Sequence, residues 1–212
     1  MLVPLFPQPL YPIADAVPGR DVVGLAAAIL AGGARVVQLR AKDAATGELV
    51  ALARAVKIHA DAVGARLIIN DRADVARVVD AAGVHLGQDD LPPAAARALL
   101  GPDKIVGFST HTLAQVDEAL RAGHFDYLAF GPIFATASKR NPDPVQGVAA
   151  LRDVRRRCPL PLVAIGGIDA STIGDVIAAG ADAAALIGAI AGAHDPALAT
   201  RDLLAAAQQT VR

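Results

Sequence analysis

Short apolar runs alternate with longer amphipathic stretches from one end of the chain to the other, and this alternation constrains the fold more than any other feature. Eight runs, at residues 10–14, 35–39, 66–69, 84–86, 105–108, 127–130, 162–165 and 183–186, are rich in apolar residues and too short for helices. That is the pattern of parallel strands buried on both faces. Helix-length stretches lie between them. At 46–63 and 113–121 apolar residues recur every three and four positions, and Thr112 and Ser171 stand where N-caps belong. No proline-rich or Ser/Gly-rich linker divides the 212 residues. Residues 1–212 therefore read as one domain, an α/β fold of the (β/α)8 TIM-barrel type.

A weak internal repeat supports the barrel. The segments AGGARVVQL, AAGVHLG, RAGHFDYLAFG and AAGADAAALIG place Gly33, Gly83, Gly123 and Gly180 after Ala-rich helices and ahead of even-numbered strands. Glycine at a helix C′ position closes such αβ loops. An open doubly wound sheet is the competing architecture, but no Gly-rich dinucleotide fingerprint follows the first strand.

Composition narrows the function classes. A net charge of −1 gives no basic footprint for nucleic acid, and 54% hydrophobic against 19% charged residues excludes disorder. No uncharged apolar run approaches the ~18 residues of a membrane span. Cys158 alone builds neither a disulfide scaffold nor a Cys-based zinc site. Pro4, Pro7, Pro9 and Pro12 break any signal-peptide helix, and no basic residue precedes Arg20. The expectation is a soluble cytoplasmic protein with small-molecule substrates, no nucleic-acid or membrane partner, and an oligomeric state left open, a homo-oligomer included.

In a barrel the functional face is built from the loops after the strand C-termini. Polar residues cluster at seven successive strand ends: Gln38 to Asp43, Asn70 to Arg72, Gly87 to Asp90, Ser109 to Thr112, Gly131 to Asn141, Gly166 to Ile168, and Ile187-Gly188. Asp71 and Asp90 end neighbouring strands, so their carboxylates can share one Mg²⁺ that keeps several waters. Arg40 offers a planar fork to phosphate oxygens and Lys42 a point charge on the same loop. Sixteen of the 20 basic residues are arginine, and two of the four lysines, Lys42 and Lys139, fall at this face. Lys139, on a long loop, can close over a bound anion. The turns at Gly166-Gly167 and Ile187-Gly188 lie where barrels bind phosphate on backbone N–H groups. Two anionic groups are expected, one bare phosphate and one metal-bound polyphosphate.

Blander readings exist for each part. Asp71 or Asp90 taken singly reads equally as a helix N-cap, and a Gly-Gly pair alone is usually a tight turn. His85 alternates with apolar neighbours, which favours a core histidine over a ligand; His111, in a strand-end loop, stays open. Arg155-Arg156-Arg157 reads as a solvated helix end, and Cys158 has no activating partner. No Ser-His-Asp arrangement is legible.

Six motifs in unbroken order carry a resemblance: QLRAK at 38–42, LIINDR at 67–72, GVHLGQDD at 83–90, STHT at 109–112, FGPIFATASK at 130–139 and VAIGGI at 163–168. Together the chain resembles the thiamine phosphate synthase/thiazole tautomerase superfamily, on its synthase branch. The resemblance implies coupling of 4-amino-5-hydroxymethyl-2-methylpyrimidine diphosphate with a thiazole phosphate, releasing pyrophosphate. It places Gln38, Arg40, Lys42, Asn70, Ser109 and Lys139 on the pyrimidine diphosphate, with Leu39 and Ala41 completing the first segment. Arg40, Lys42, Ser109 and Lys139 take the catalytic roles, and Asp71 and Asp90 bind Mg²⁺. Thr136, Ala137, Ser138, Gly167, Ile187 and Gly188 surround the thiazole phosphate. A dissociative loss of pyrophosphate needs no strong base, which fits the missing triad.

The chain departs from the family pattern in three places. Ala41 stands where the family commonly has Glu, Ser138 replaces the second threonine of TxTK, and Gly188 replaces a frequent serine. Three rivals stand beside the synthase: a thiazole tautomerase-like paralogue, a non-catalytic thiazole phosphate-binding protein, and an unrelated phosphate-binding barrel such as a sugar-phosphate epimerase. Retention of Asp71, Asp90 and Lys139 favours the synthase.

Overall fold

The computed structural model describes residues 5–136 and 143–210. Eight parallel strands close into a barrel in sequence order. They are β1 (Leu10–Asp15), β2 (Val36–Arg40), β3 (Arg66–Asn70), β4 (Gly83–Leu86), β5 (Ile105–Thr110), β6 (Tyr127–Phe130), β7 (Leu162–Ile165) and β8 (Ala183–Leu186). The helices between them are α1 (Val22–Ala31), α2 (Thr46–Ala62), α3 (Ala73–Val78), α4 (Pro93–Leu100), α5 (Leu113–Ala122), α6 (Gly147–Arg157) and α7 (Ile173–Ala178). A short α8 (Gly188–Ala191) and a longer α9 (Pro196–Thr210) follow β8. All eight expected strands are present, most of them within one residue of their expected bounds.

Strand alternation divides the core in two. Leu10, Val37, Leu39, Ile69, Val84, Leu128, Phe130 and Leu186 point outward and are buried in the layer between strands and helices. Tyr11, Ile13, Val36, Ile68, Tyr127, Ala129, Val163 and Ala185 point inward and fill the barrel. Both faces are dry, so the strands lack an apolar–polar alternation. Phe6 closes the lower end, its ring 5.4 Å from Tyr11 and 5.1 Å from Tyr127 between centroids.

Two local expectations change. Thr112 caps α5, accepting from the Gln115 N–H at 3.2 Å. Ser171 does not cap α7; Asp169 does that work one turn earlier, its carboxylate accepting from the N–H groups of Ser171 and Thr172 at 2.9 and 3.1 Å. An ionised acceptor makes stronger bonds there than a hydroxyl. Gly83 is not a C′ residue either. It is the first residue of β4, and a Cβ on it would stand 2.1 Å from the Ile105 carbonyl oxygen. Close strand packing, not helix termination, requires glycine there.

The sequence repeat has a counterpart in side-chain geometry. Arg97 of α4 pairs with Asp126, just before β6, at 2.6 Å, and the same carboxylate accepts from the Val106 N–H of β5 at 2.7 Å. Arg155 of α6 pairs with Asp182, just before β8, at 3.0 Å, and that carboxylate accepts from the Leu162 N–H of β7 at 2.7 Å. Each arginine also donates to carbonyls after its own helix, Gly101 and Lys104 for Arg97 and Cys158 and Leu160 for Arg155. Arg155 is thus a structural tie rather than part of a solvated run. Cys158 is a buried free thiol, and burial pushes its pKa up. Among the described residues no helix is long and apolar enough to cross a membrane.

Candidate active site

The mouth of the barrel carries a charged side, over β1 to β4, and a cavity side, over β5 to β8. At the end of β2, Arg40 lies 2.5 Å from the buried Asp15 carboxylate at the end of β1. Lys42, two residues on, is exposed and reaches to 3.6 Å from the Asp71 carboxylate. Asp71 itself sits in a left-handed turn after β3, with φ of 63°. Asp is one of the few residues that adopts this region at small cost. Its N–H donates to the His85 carbonyl at 2.8 Å, which fastens the turn to β4.

Asp71 and Asp90 are brought together. Burial pushes the Asp71 carboxyl up to about 6, helped by a hydrogen bond to Asp90 and by repulsion from its charge, while Lys42 and Arg40 pull the other way. One Asp90 oxygen accepts from the Gly87 N–H at 2.7 Å, fixing its side of the pair. Hard oxygen donors that repel each other suit a small divalent cation. No group of three or more His, Cys, Asp or Glu side chains among the described residues could hold a metal. A cation here would therefore take its remaining ligands from water or phosphate, which is how Mg²⁺ is usually held.

On the other side lies a cavity of about 360 Å³, lined by Ser109, Thr136, Gly166, Gly167, Ile187 and Gly188 among others. The Ile133 N–H donates to the Ile165 carbonyl and the Phe134 N–H to the Gly166 carbonyl, both at 2.9 Å, so the loops after β6 and β7 are joined at their bases. Gly167 has φ of 64°, and a Cβ there would lie 2.3 Å from the Ala135 carbonyl oxygen. A side chain is excluded from the turn, which leaves backbone facing the cavity.

Most of the expected site residues stand at this mouth. Leu39 and Ala41 have side chains packed in the outer helix layer, so only their backbone can face a ligand. Ala137, Ser138 and Lys139 lie outside the described residues. His85 is indeed buried, yet its Nε2 is 2.8 Å from Ser109 Oγ, so it belongs to the support of the site as well as to the core. His111 lines the cavity, with Nδ1 2.7 Å from the Gly131 carbonyl oxygen and 3.5 Å from the Asp143 carboxylate. Asp15 and Gln88, whose Nε2 donates to the Ser109 carbonyl at 2.5 Å, are additional. Asp15 closes the first strand, the one strand end without a polar cluster in the sequence.

Cations and paired carboxylates on one side of a barrel mouth, facing a glycine-turned cavity on the other, define a (β/α)8-barrel enzyme acting on small molecules. The family model described as thiamine monophosphate synthase matches residues 10–190. The chain is 48% identical over 189 residues to the thiamine-phosphate synthase of Anaeromyxobacter dehalogenans, covering 89% of this chain and 84% of that one. It is 46% identical over 193 residues to that of Shouchella clausii, covering 91% of each. The solved thiamine phosphate pyrophosphorylase from Pyrococcus furiosus superposes with a TM-score of 0.87 at 33% identity, over 97% of this chain and 98% of that one. The chain belongs to the thiamine monophosphate synthase family and is a transferase.

Proposed function

We propose that the chain joins 4-amino-5-hydroxymethyl-2-methylpyrimidine diphosphate to a thiazole phosphate, giving thiamine phosphate and pyrophosphate, and that it does so with Mg²⁺. The observation that carries this reading is the division of the mouth into a cationic, carboxylate-paired side and a backbone-lined cavity. Two anionic substrates, one of them a diphosphate, fit that division.

Arg40, braced by Asp15, and Lys42 hold oxygens of the diphosphate, with Asn70 beside them; Lys139 has the same role by family resemblance. Mg²⁺, held by Asp71 and Asp90, would neutralise charge gathering on the departing pyrophosphate. The methylene C–O bond breaks with its electrons leaving on pyrophosphate, and the electron-rich aminopyrimidine carries the resulting positive charge. The thiazole nitrogen then forms the new C–N bond with its lone pair. No proton is transferred in either step, so no general base is required. The protein contributes positioning, cations on the leaving group and exclusion of water from the cation. Gly166, Gly167, Ile187 and Gly188 offer the thiazole phosphate its cavity. Gly188 supplies no hydroxyl where the family often has serine, so backbone N–H groups must do that work.

The test mixes protein with both substrates and Mg²⁺ and detects thiamine phosphate as fluorescent thiochrome after oxidation, with an EDTA control. Metal-dependent product is expected. A folded protein that binds thiazole phosphate but forms no product overturns the reading in favour of a tautomerase-like or binding protein.

A further inference from the structure

His111 stands in the wall of the cavity with one ring nitrogen committed and the other open. Its Nδ1 lies 2.7 Å from the Gly131 carbonyl oxygen. A carbonyl can only accept, so Nδ1 carries a proton in the neutral ring and in the cation alike. The backbone N–H of His111 donates to Gln115 Oε1 at 2.7 Å, which anchors the other end of the residue. Nε2 makes no hydrogen bond to any described residue. No buried side-chain nitrogen or oxygen among those residues lacks a partner, so Nε2 is open to solvent at the cavity wall. With Nδ1 fixed, two forms of the ring remain. The neutral form accepts at Nε2, and the cation donates there.

The rest of the wall makes that choice matter. Among the described residues lining the cavity, Asp143 and Asp169 are acidic and none is lysine or arginine. Hydrogen bonds from Ser171 first, and then Thr172, hold the Asp169 carboxyl below its usual range and keep its charge in place. The Asp143 carboxylate, ahead of α6, lies 3.5 Å from His111 Nδ1 and favours the cationic ring. The first turn of α5 adds no acidic group. Arg40, Lys42, Asp71 and Asp90 stand on the other side of the mouth. His111 is thus the one lining group among the described residues that can become positive. A phosphate monoester is close to a dianion above about pH 7, because its second proton leaves near pH 6. Against a neutral His111 it would meet a lone pair; against the cation it meets an N–H and a charge.

We propose that His111 binds the phosphate of the thiazole substrate, and that its Nε2 takes up one proton from solution when that phosphate enters the cavity. Asp143 is the positioning residue of the pair: it faces the protonated Nδ1 and offsets the charge that the ring gains. The proposal rests on the synthase reading above. Backbone N–H groups of the glycine turns supply neutral donors to the same phosphate. His111 adds the charge-assisted one, about twice as strong, and supplies it only when the anion is present.

Calorimetry of thiazole phosphate binding at about pH 8, in two buffers of different ionisation enthalpy, reads the proton directly. The ligand is already a dianion there and contributes no proton change of its own. The wild type should take up roughly half to one proton, and its Kd should weaken roughly three- to tenfold between about pH 7.5 and 8.5. His111→Asn places an amide nitrogen where Nδ1 stands and keeps a donor for Gly131, but removes Nε2. It should bind without proton uptake, with KM for thiazole phosphate raised roughly tenfold and KM for the pyrimidine diphosphate unchanged. Asp143→Asn should keep the uptake and move its midpoint to lower pH. Equal heats in the two buffers for the wild type overturn the proposal whether or not either variant folds, and so does uptake that persists in His111→Asn. Thiamine phosphate formed by the same preparation then leaves the synthase reading standing. A wild type that takes up the proton but makes no product keeps the phosphate site and overturns the synthase reading.

Discussion

Lys42 Nζ stands 3.6 Å from Asp71 Oδ2, joining the loop after β2 to the turn after β3. The lysine offsets only part of what burial and Asp90 impose on that carboxyl, which remains up at about 6 against an ordinary 3.8. Between those values the native protein holds a proton that the unfolded chain has released. Stability from this group is therefore fully present below about pH 4 and lost as pH rises through about 6. Asp71→Asn removes the repulsion, so the variant should exceed the wild type by roughly 1 kcal/mol at about pH 8, after allowance for solvent screening. The advantage should vanish near pH 4. Thermal melts of both proteins across that range check it, and parallel pH profiles would refute it.

The same repulsion predicts a response to metal that does not depend on turnover. Millimolar Mg²⁺ at about pH 8 should raise the melting temperature of the wild type, because a ligand that binds only the native state stabilises it. Asp71→Ala and Asp90→Ala should lose that rise and lose metal-dependent turnover, yet still bind thiazole phosphate by calorimetry. Turnover at the wild-type rate in either variant would remove the metal from these two residues.

Asp15 is buried beneath Arg40 and 2.5 Å from its guanidinium. Asp15→Asn keeps the shape and removes the charge that orients the fork. KM for the pyrimidine diphosphate should rise by roughly tenfold, equivalent to about 1.4 kcal/mol of lost positioning. KM for thiazole phosphate should not change, and steady-state kinetics with each substrate varied in turn distinguishes the two.

Gly107→Ala should cost several kcal/mol, about 3 or more, because the new Cβ meets the Tyr127 ring at 2.0 Å in a packed interior. Gly123→Ala meets nothing within 4 Å but has φ of 69° with ψ of −150°, a conformation open essentially to glycine alone, so backbone strain of about 1–3 kcal/mol applies without a collision. Denaturant unfolding of the pair separates collision from strain; equal losses would contradict the assignment of Gly107 to making room for Tyr127.

The strands are legible in the sequence because parallel strands buried on both faces leave short unbroken apolar runs, and the strand-end rule then points to Arg40, Lys42, Asp71, Asp90 and Ser109. What escaped shares a physical cause. Tyr11, Tyr127 and Asp15 are inward residues on strands far apart in sequence, and nothing local marks which way a residue in an all-apolar strand faces. His85 looked like core because it is core; only the closure of the barrel brings its second nitrogen to Ser109. Ser171 carries a cap signal, a hydroxyl ahead of a helical pattern, but the chain makes a turn there that Asp169 completes.

Both tyrosines of this chain, which has no tryptophan, stand inside the barrel under the mouth with their hydroxyls 2.9 Å apart, and Tyr127 is a single imidazole, that of His85, away from Ser109. The intrinsic emission of the whole protein thus originates at one place, inside the barrel and directly below the candidate pocket. Phenol fluorescence of the unlabelled protein therefore reports on the barrel interior beneath the pocket, with no indole background to subtract.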